Sequence, residues 1–346
     1  MSIHVKDLPS TRAVALGKDA GYFPVAATTD GRHVVIVHRA GAGHMGVGGR
    51  LEALISEDAG DSWLDPVLVV QSEWDDRNPA IGVAPSGTIV VGYHRNKNYN
   101  EKGEYVHDLH GTETWLTRSR DGGRNWQEPY PLNIEELNGL SPYGQMLTLD
   151  DGSLLMPLYG NPGTGVEDEA AFSYLVRSTD EGLTWSHWSL VAEDMNESAF
   201  LLLPGGRIMA AMRGETKGTI HTAFADMREL KWTNPAEASQ GHPASLAMLP
   251  GGQVLLVWGW RGAGSGARGY ISTDDGKSWL KDREITFGDN ATNWDCGYPT
   301  ALYLPSQGRI LVAYYTTAQE DPWRCEGAHC HVVVCSEKEL LDAVGL

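Results

Sequence analysis

Short apolar runs recur along the chain, and a Gly-containing turn precedes each of six of them. The six turn-and-run segments read TDGRHVVIVHR, PSGTIVVGYHR, DDGSLLMPLYG, PGGRIMAAMRG, PGGQVLLVWGW and SQGRILVAYYT. Short runs rich in Val, Ile and Leu and bounded by Gly, Pro, Asp or Ser predict buried strands. Upstream of each turn lies a second short strand with Pro or Ser near its start. The six starts are Tyr22-Phe23-Pro24, Arg77-Asn78-Pro79, Ser141-Pro142-Tyr143, Asn196-Glu197-Ser198, Gly241-His242-Pro243 and Gly297-Tyr298-Pro299. Each pair of strands predicts a hairpin.

A second pattern, Ser-x-Asp-x-Gly-x-x-Trp, occurs four times, at Ser56–Trp63, Ser119–Trp126, Ser178–Trp185 and Ser272–Trp279. Its chemistry is that of a turn. The Asp carboxylate (Asp58, Asp121, Asp180, Asp274) accepts backbone N–H groups, and the Gly supplies a positive φ. The Trp folds back over the sheet and buries a large area. The pattern resembles the Asp box of sialidases and related propellers, in which the box is structural and lies away from the active site. These four aspartates are therefore expected to be structural.

Turn, strand, variable loop, third strand and box make a unit of four strands, and six such units predict an all-β, six-bladed propeller in one domain, residues 1–346. The fourth unit keeps a decayed box, AFADMRELKW, and the sixth ends on HVVVCS with no box. The sixth unit has only three strands of its own. Thr11 to Leu16 is expected to supply its fourth and close the ring.

Composition narrows the function. The formal net charge is -18, with 27 Lys and Arg against 45 Asp and Glu. A field of that sign repels phosphate backbones, which argues against nucleic-acid binding. No apolar run approaches the roughly 20 residues of a membrane span. The start, MSIHVKDLPSTR, lacks the apolar core of a signal peptide, so a cytoplasmic protein is expected. Four cysteines are too few for a disulfide scaffold.

In a propeller the inner-strand starts and the loops between second and third strands share one face, so site residues are sought there. NESAFLLLPGGRIMAAMR resembles the sialidase pattern of Asn-Glu, apolar strand, Gly turn and Arg. The resemblance implies that Glu197 polarises a tyrosine nucleophile and that Arg213 holds a substrate carboxylate. A phenol is a weak nucleophile until a carboxylate takes its proton, and a guanidinium is a fixed fork for a carboxylate. In WDCGYPTALYLP, Tyr298 occupies the place of the family's nucleophile. Two positions depart from the family. Tyr22 stands where the first arginine of a carboxylate clamp is expected, and the first loop, AGAGHMGVGGR, has no acidic residue. There His44 falls in the place of the general acid, a role an imidazole can serve near neutral pH. Arg261 and Arg268 flank the place of the third clamp arginine.

Arg39, Arg77 and His242, with His94, Arg95, His110 and Arg324, lie on the same predicted face as candidates for binding hydroxyls or a carboxylate. Asp295 sits near Tyr298 and could orient another group. Trp260 and Trp294 could stack on a sugar. Cys296, Cys325, Cys330 and His329 give only a weak metal pattern, and no metal or cofactor is expected. The predicted activity is an exo-acting glycoside hydrolase for a terminal acidic sugar, using Tyr298, Glu197 and His44. The alternatives are a uronic-acid lyase using His and Tyr, and a catalytically inactive carbohydrate-binding propeller.

Overall fold

The computed structural model describes residues 2–109, 111–137, 139–162, 171–214, 218–318, 321 and 323–346. Six sheets stand around a central channel, with the inner strand of the last against that of the first. Blade one comprises Tyr22–Thr28, Val34–Ala40, Arg50–Ser56 and Val67–Gln71 from the axis outwards. Blade two comprises Asp75–Val83, Ile89–Asn96, Thr112–Ser119 and Tyr130–Pro131. Blade four runs Met195–Leu203, Arg207–Gly214, Thr219–Asp226 and Ala236–Gln240. Blade five runs His242–Met248, Val254–Trp260, Gly266–Ser272 and Ile285–Gly288. The second strands read as continuous apolar runs because a neighbouring blade covers each face. Val34–Ala40, for example, is buried along its whole length.

Blade three departs from the repeat. Its outer strands are Leu154–Gly160, Phe172–Ser178 and Ser186–Glu193. Its inner strand is broken, and Ser141–Pro142 and Leu147–Thr148 pair within the blade. Between them Gly144–Gln145 turns aside and runs parallel to Ala80 and Ile81 of blade two. Gly144 makes this diversion at φ 102°, a conformation that favours glycine.

Blade six closes the ring as expected. Arg12–Leu16 pairs antiparallel with His329–Ser336, outside Gly297–Leu304 and Arg309–Thr316. The strand Ile3–His4 adds a parallel fifth strand to blade five, beside Ile285 and Thr286.

The Asp boxes are turns, and they also join blades. In the first, Asp58 Oδ1 accepts from Ser62 N at 2.8 Å, and Ser56 Oγ accepts from Gly60 N at 2.8 Å. The same bonds recur around Asp121, Asp180 and Asp274. Each box glycine faces the preceding blade. A Cβ on Gly60 would meet Val334 and Leu311, on Gly123 Val35 and Ile55, on Gly182 Val90, and on Gly276 Met209 and Phe224. The decayed fourth box keeps this contact through Trp232, whose Nε1 donates to Ser189 Oγ of blade three at 2.9 Å.

Where the sixth box would be, the chain forms a helix, Glu337–Val344. Ser336 caps its start and accepts from Glu339 N, and Gly345 ends it at φ 81°. Its Leu340 and Val344 pack among Leu255 and Val257 of blade five and Ile310 and Val312 of blade six. The helix thus takes the joining role of the missing box. Among the described residues no helix is long and apolar enough to cross a membrane.

Candidate functional site

The inner strands enter the ring through bulges. The register shifts between Tyr22 and Val25, Arg77 and Ala80, Met195 and Ser198, His242 and Ala244, and Gly297 and Thr300. A bulge re-aims the side chain it contains. Phe23, Asn78 and Tyr298, each before a proline, occupy the left-handed region at φ 52°, 48° and 51°. A non-glycine residue there is uncommon and costs on the order of 1–3 kcal/mol, so three equivalent cases mark a built feature.

The bulges bring blades four and six together across the channel mouth. The Tyr298 hydroxyl donates to Glu197 Oε1 at 2.6 Å. Arg213 Nη1 lies 3.1 Å from Glu197 Oε2 and 3.4 Å from the Tyr298 oxygen. Glu197 is 3% exposed and Tyr298 is 6% exposed, so both are buried. The ring of Tyr143 stands edge-on to Tyr298 at 5.1 Å, and the Arg261 guanidinium carbon lies 5.9 Å from the Tyr298 centroid. Burial, then the charge of Glu197, pushes the phenol well above its ordinary range, against the opposing pull of Arg213 and Arg261. The hydroxyl therefore keeps its proton at neutral pH.

A second pair sits beside the first. His44 Nδ1 lies 2.7 Å from Asp295 Oδ1, and the Tyr315 hydroxyl donates to the same oxygen at 2.5 Å. Phe23 connects the two pairs, its ring 5.0 Å from His44 and 4.9 Å from Tyr298. Burial lowers the His44 pKa. The hydrogen bond and charge of Asp295 oppose this, while Arg77 and Arg261 add to it. Burial would raise Asp295, but His44, Tyr315 and Arg261 outweigh it and hold the carboxyl below its usual range.

A third cluster fixes the loop that carries His44. Arg39 Nε donates to Asp75 Oδ1 at 2.8 Å, and Arg39 also bonds the carbonyls of Ala42, Gly43 and Gly46. The Tyr99 hydroxyl donates to Asp75 Oδ2 at 2.7 Å and accepts from Gly46 N at 2.9 Å.

A family model described as a BNR repeat-like domain matches residues 26–262, more than half the chain. The chain belongs to this BNR repeat-like family. A sialidase from Bacteroides fragilis (strain YCH46) is 24% identical over 225 residues, which are 59% of this chain and 40% of that protein. The match thus spans well under half of that relative's length. A crystal structure of a protein of unknown function from Dyadobacter fermentans DSM 18053 superposes with a TM-score of 0.76 at 23% identity, covering 94% of this chain and 99% of that one. The Hadza microbial sialidase Hz136 superposes at 0.72 with 19% identity, covering 93% of this chain and 66% of that one. At these identities the two superpositions show a shared fold: a sialidase-like six-bladed propeller.

On this BNR repeat-like scaffold some candidate residues move from their expected roles. Asp295, a candidate either to bind substrate or to orient another group, is 2% exposed, and its Oδ1 is engaged by His44 and Tyr315 rather than open to the cleft. Arg39 is fully buried under the first loop and does not reach the cleft, because Asp75 of the next blade holds it there. Tyr22 is likewise fully buried and donates to the Arg324 carbonyl at 3.1 Å, which makes it a wall behind His44. Arg268 bonds the carbonyls of Gly264 and Gly288, away from Tyr298. Arg77 stays at the cleft floor, 5.1 Å from the Phe23 ring and 3.7 Å from Asp75.

Arg261 reaches the cleft, where its Nε donates to the Cys296 carbonyl at 3.2 Å. Burial, helped by Arg261 and Arg213, pushes His242 down to about 3, so it faces the cleft as a neutral group. His94 is buried against Ser141, and Arg95 is tied to Asp76. His110 lies outside the described residues. The cysteines Cys296, Cys325, Cys330 and Cys335 are free thiols. Phe23 and Tyr143, which stand in two of the six strand starts, line the site with Asp75, Tyr99 and Tyr315, which no short motif marked.

Proposed function

We propose that the chain is an exo-acting glycoside hydrolase of the sialidase type, acting on a terminal acidic sugar. The observation that carries this reading is the 2.6 Å bond from the Tyr298 hydroxyl to Glu197, with Arg213 on the same carboxylate. Tyr298 attacks the anomeric carbon while Glu197 takes the phenolic proton. The glycosidic bond breaks, and the leaving oxygen receives a proton from the His44 imidazolium. Water then attacks the glycosyl-tyrosine, His44 accepts a proton from that water, and the Tyr298 oxygen departs and recovers its proton from Glu197. Asp295 steadies the charged imidazole at 2.7 Å throughout. A tyrosine nucleophile is the known exception to the two-carboxylate pattern and suits an anomeric carbon next to a carboxylate. Arg213 and Arg261 are the cations beside that position.

The test is a panel of aryl glycosides with sialic acid, deoxy-ulosonic acid and uronic acid members. Weak turnover of the sialoside and better turnover of another acidic sugar is expected, because Tyr22 replaces one clamp arginine. Absence of turnover across the panel would sink the hydrolase reading.

One observation favours a second reading, β-elimination at a uronic acid. Burial lowers the His44 pKa, which leaves its imidazole neutral and basic near pH 7, as a lyase base must be. The lyase product is an unsaturated uronate that absorbs in the ultraviolet, and the hydrolase product does not. The pH profiles are opposite as well. Hydrolysis through His44 as acid fades as the pH rises past its lowered pKa, and elimination through His44 as base fades as the pH falls past it.

A further inference from the structure

Of the five strand starts that hold a proline, only that of blade three has a glycine two residues later, in Pro142-Tyr143-Gly144. Gly144 turns the chain at φ 102°, and a Cβ there would lie 3.5 Å from the Ser198 carbonyl oxygen of blade four. The inner strand therefore leaves its own blade at this point. Its backbone pairs with blade two at Ala80 and Ile81, and the next side chain, Gln145, crosses to the opposite side of the ring.

An inner strand has no neighbouring strand on its channel side, so polar backbone groups that face the channel need other partners. Gln145 Nε2 donates to the Ala26 carbonyl of blade one at 3.1 Å and to the Ala301 carbonyl of blade six at 3.2 Å. Its Oε1 accepts from Ser245 Oγ of blade five at 3.2 Å. Ser245 Oγ accepts in turn from Ala301 N at 3.0 Å. Two carbonyls on one side of the amide and a hydroxyl on the other fix which way it points. Ala26, Ser245 and Ala301 each stand two residues after their strand's proline, so one side chain ties three blades at the same level.

That level adjoins the reacting pair. Ala301 is three residues along the strand from Tyr298, just past the register shift between Gly297 and Thr300. The bulge interrupts the ladder to the second strand, so the place of Tyr298 depends on what else holds its strand. Tyr143, two residues before Gln145, is 2% exposed, with its ring 5.1 Å from that of Tyr298. The Tyr143 hydroxyl has no hydrogen-bond partner among the described residues, so its backbone and packing set where the ring stands.

We propose that Gln145 is a positioning residue, whose amide braces blade three against blades one, five and six and so fixes Tyr298 against Glu197. Its effect on rate rests on the hydrolase reading. Its effect on the geometry of the pair does not.

Gln145→Met keeps the length of the side chain and removes all three bonds. Crystal structures of the parent and the variant, and kinetics on the best substrate of the aryl glycoside panel, test the role. The Tyr298 oxygen is expected to move beyond about 3.2 Å from Glu197 Oε1. The value of kcat is expected to fall roughly 10- to 100-fold with KM within about twofold, because the nucleophile shifts while Arg213 and Arg261 stay in place. Gly182→Ala, a change at a remote turn, is expected to lose stability but keep the parent's kcat, which separates positioning from loss of stability. If Gln145→Met does not fold, Gln145→Glu, which keeps the shape and loses the N–H donors, is read by the same two measurements. An unmoved Tyr298–Glu197 distance, a parent-like kcat in an active chain, or a fall in kcat matched by Gly182→Ala overturns the proposal. A chain that turns over no glycoside, but whose pair separates in the variant, keeps the brace and loses the hydrolase reading.

Discussion

At the scale of single residues, the proposed hydrolysis moves one proton from Tyr298 and places another through His44. Tyr298→Phe keeps the ring against Phe23 and Tyr143 but removes the nucleophilic oxygen. It is expected to lower kcat/KM on the best panel substrate by roughly 10^3-fold or more with the fold intact. Comparable activity in parent and variant would take the nucleophile role away from Tyr298. The Asp295→Asn change bears on the pH profile. The carboxylate favours the charged imidazole, so its loss lowers the His44 pKa further below its already lowered value. In the hydrolase reading the protonated form is the acid, and the alkaline limb of kcat/KM then moves to lower pH. An unmoved limb in Asp295→Asn would show that the pair does not govern proton donation.

At the scale of elements, the Asp boxes do two jobs with one turn. The Ser, Asp and Gly close the turn, and the glycine lies flat against the preceding blade. Gly182 adopts φ 85°, and a Cβ there would come within 2.7 Å of Val90 Cγ1. Gly182→Ala therefore meets both backbone strain and overpacking, and is expected to cost about 2–4 kcal/mol in urea unfolding. Activity per folded molecule is expected to be unchanged, because the box lies at the opposite end of the blade from Tyr298. A cost below about 0.5 kcal/mol would show that the blade contact is looser than it looks. The C-terminal helix performs the same joining by other means: Leu340 and Val344 fill the place that a box tryptophan fills elsewhere.

At the scale of the whole molecule, the ring closes only because Arg12–Leu16 pairs with the strand His329–Ser336, more than 300 residues away. Removing residues 2–16 uncovers that strand's edge and strips blade five of Ile3–His4. The shortened chain is expected to lose cooperative unfolding and to aggregate, read by circular dichroism and size-exclusion chromatography. The ring also sets an acid limit. Burial pushes His94 down to about 3 and His331 down to about 4. An unfolded histidine takes its proton near pH 6.5, whereas these folded ones resist it to much lower pH. Their contribution is therefore full above pH 6.5 and is lost progressively as the pH falls toward 3 to 4. Melting temperatures across this window should fall with pH, and His94→Asn should flatten the slope.

The sequence by itself determined the repeating parts. Gly turns and Asp boxes are local patterns whose hydrogen bonds stay within a few residues, so six hairpins could be read directly. The closing strand followed from the three strands of the sixth unit, and the places of Tyr298, Glu197 and Arg213 from the resemblance to sialidases. The helix Glu337–Val344 was not among the predicted elements, although Ser336 and Gly345 carry its start and stop chemistry. Only the tertiary structure decided partnership. His44 and Asp295 are 251 residues apart and meet because closure sets blade one against blade six. Arg39 is a binding candidate by its place in the sequence, but Asp75 of the next blade holds it under a loop. A charged side chain is a ligand or a brace according to what lies within about 3 Å of it, and in a propeller those neighbours come from other blades.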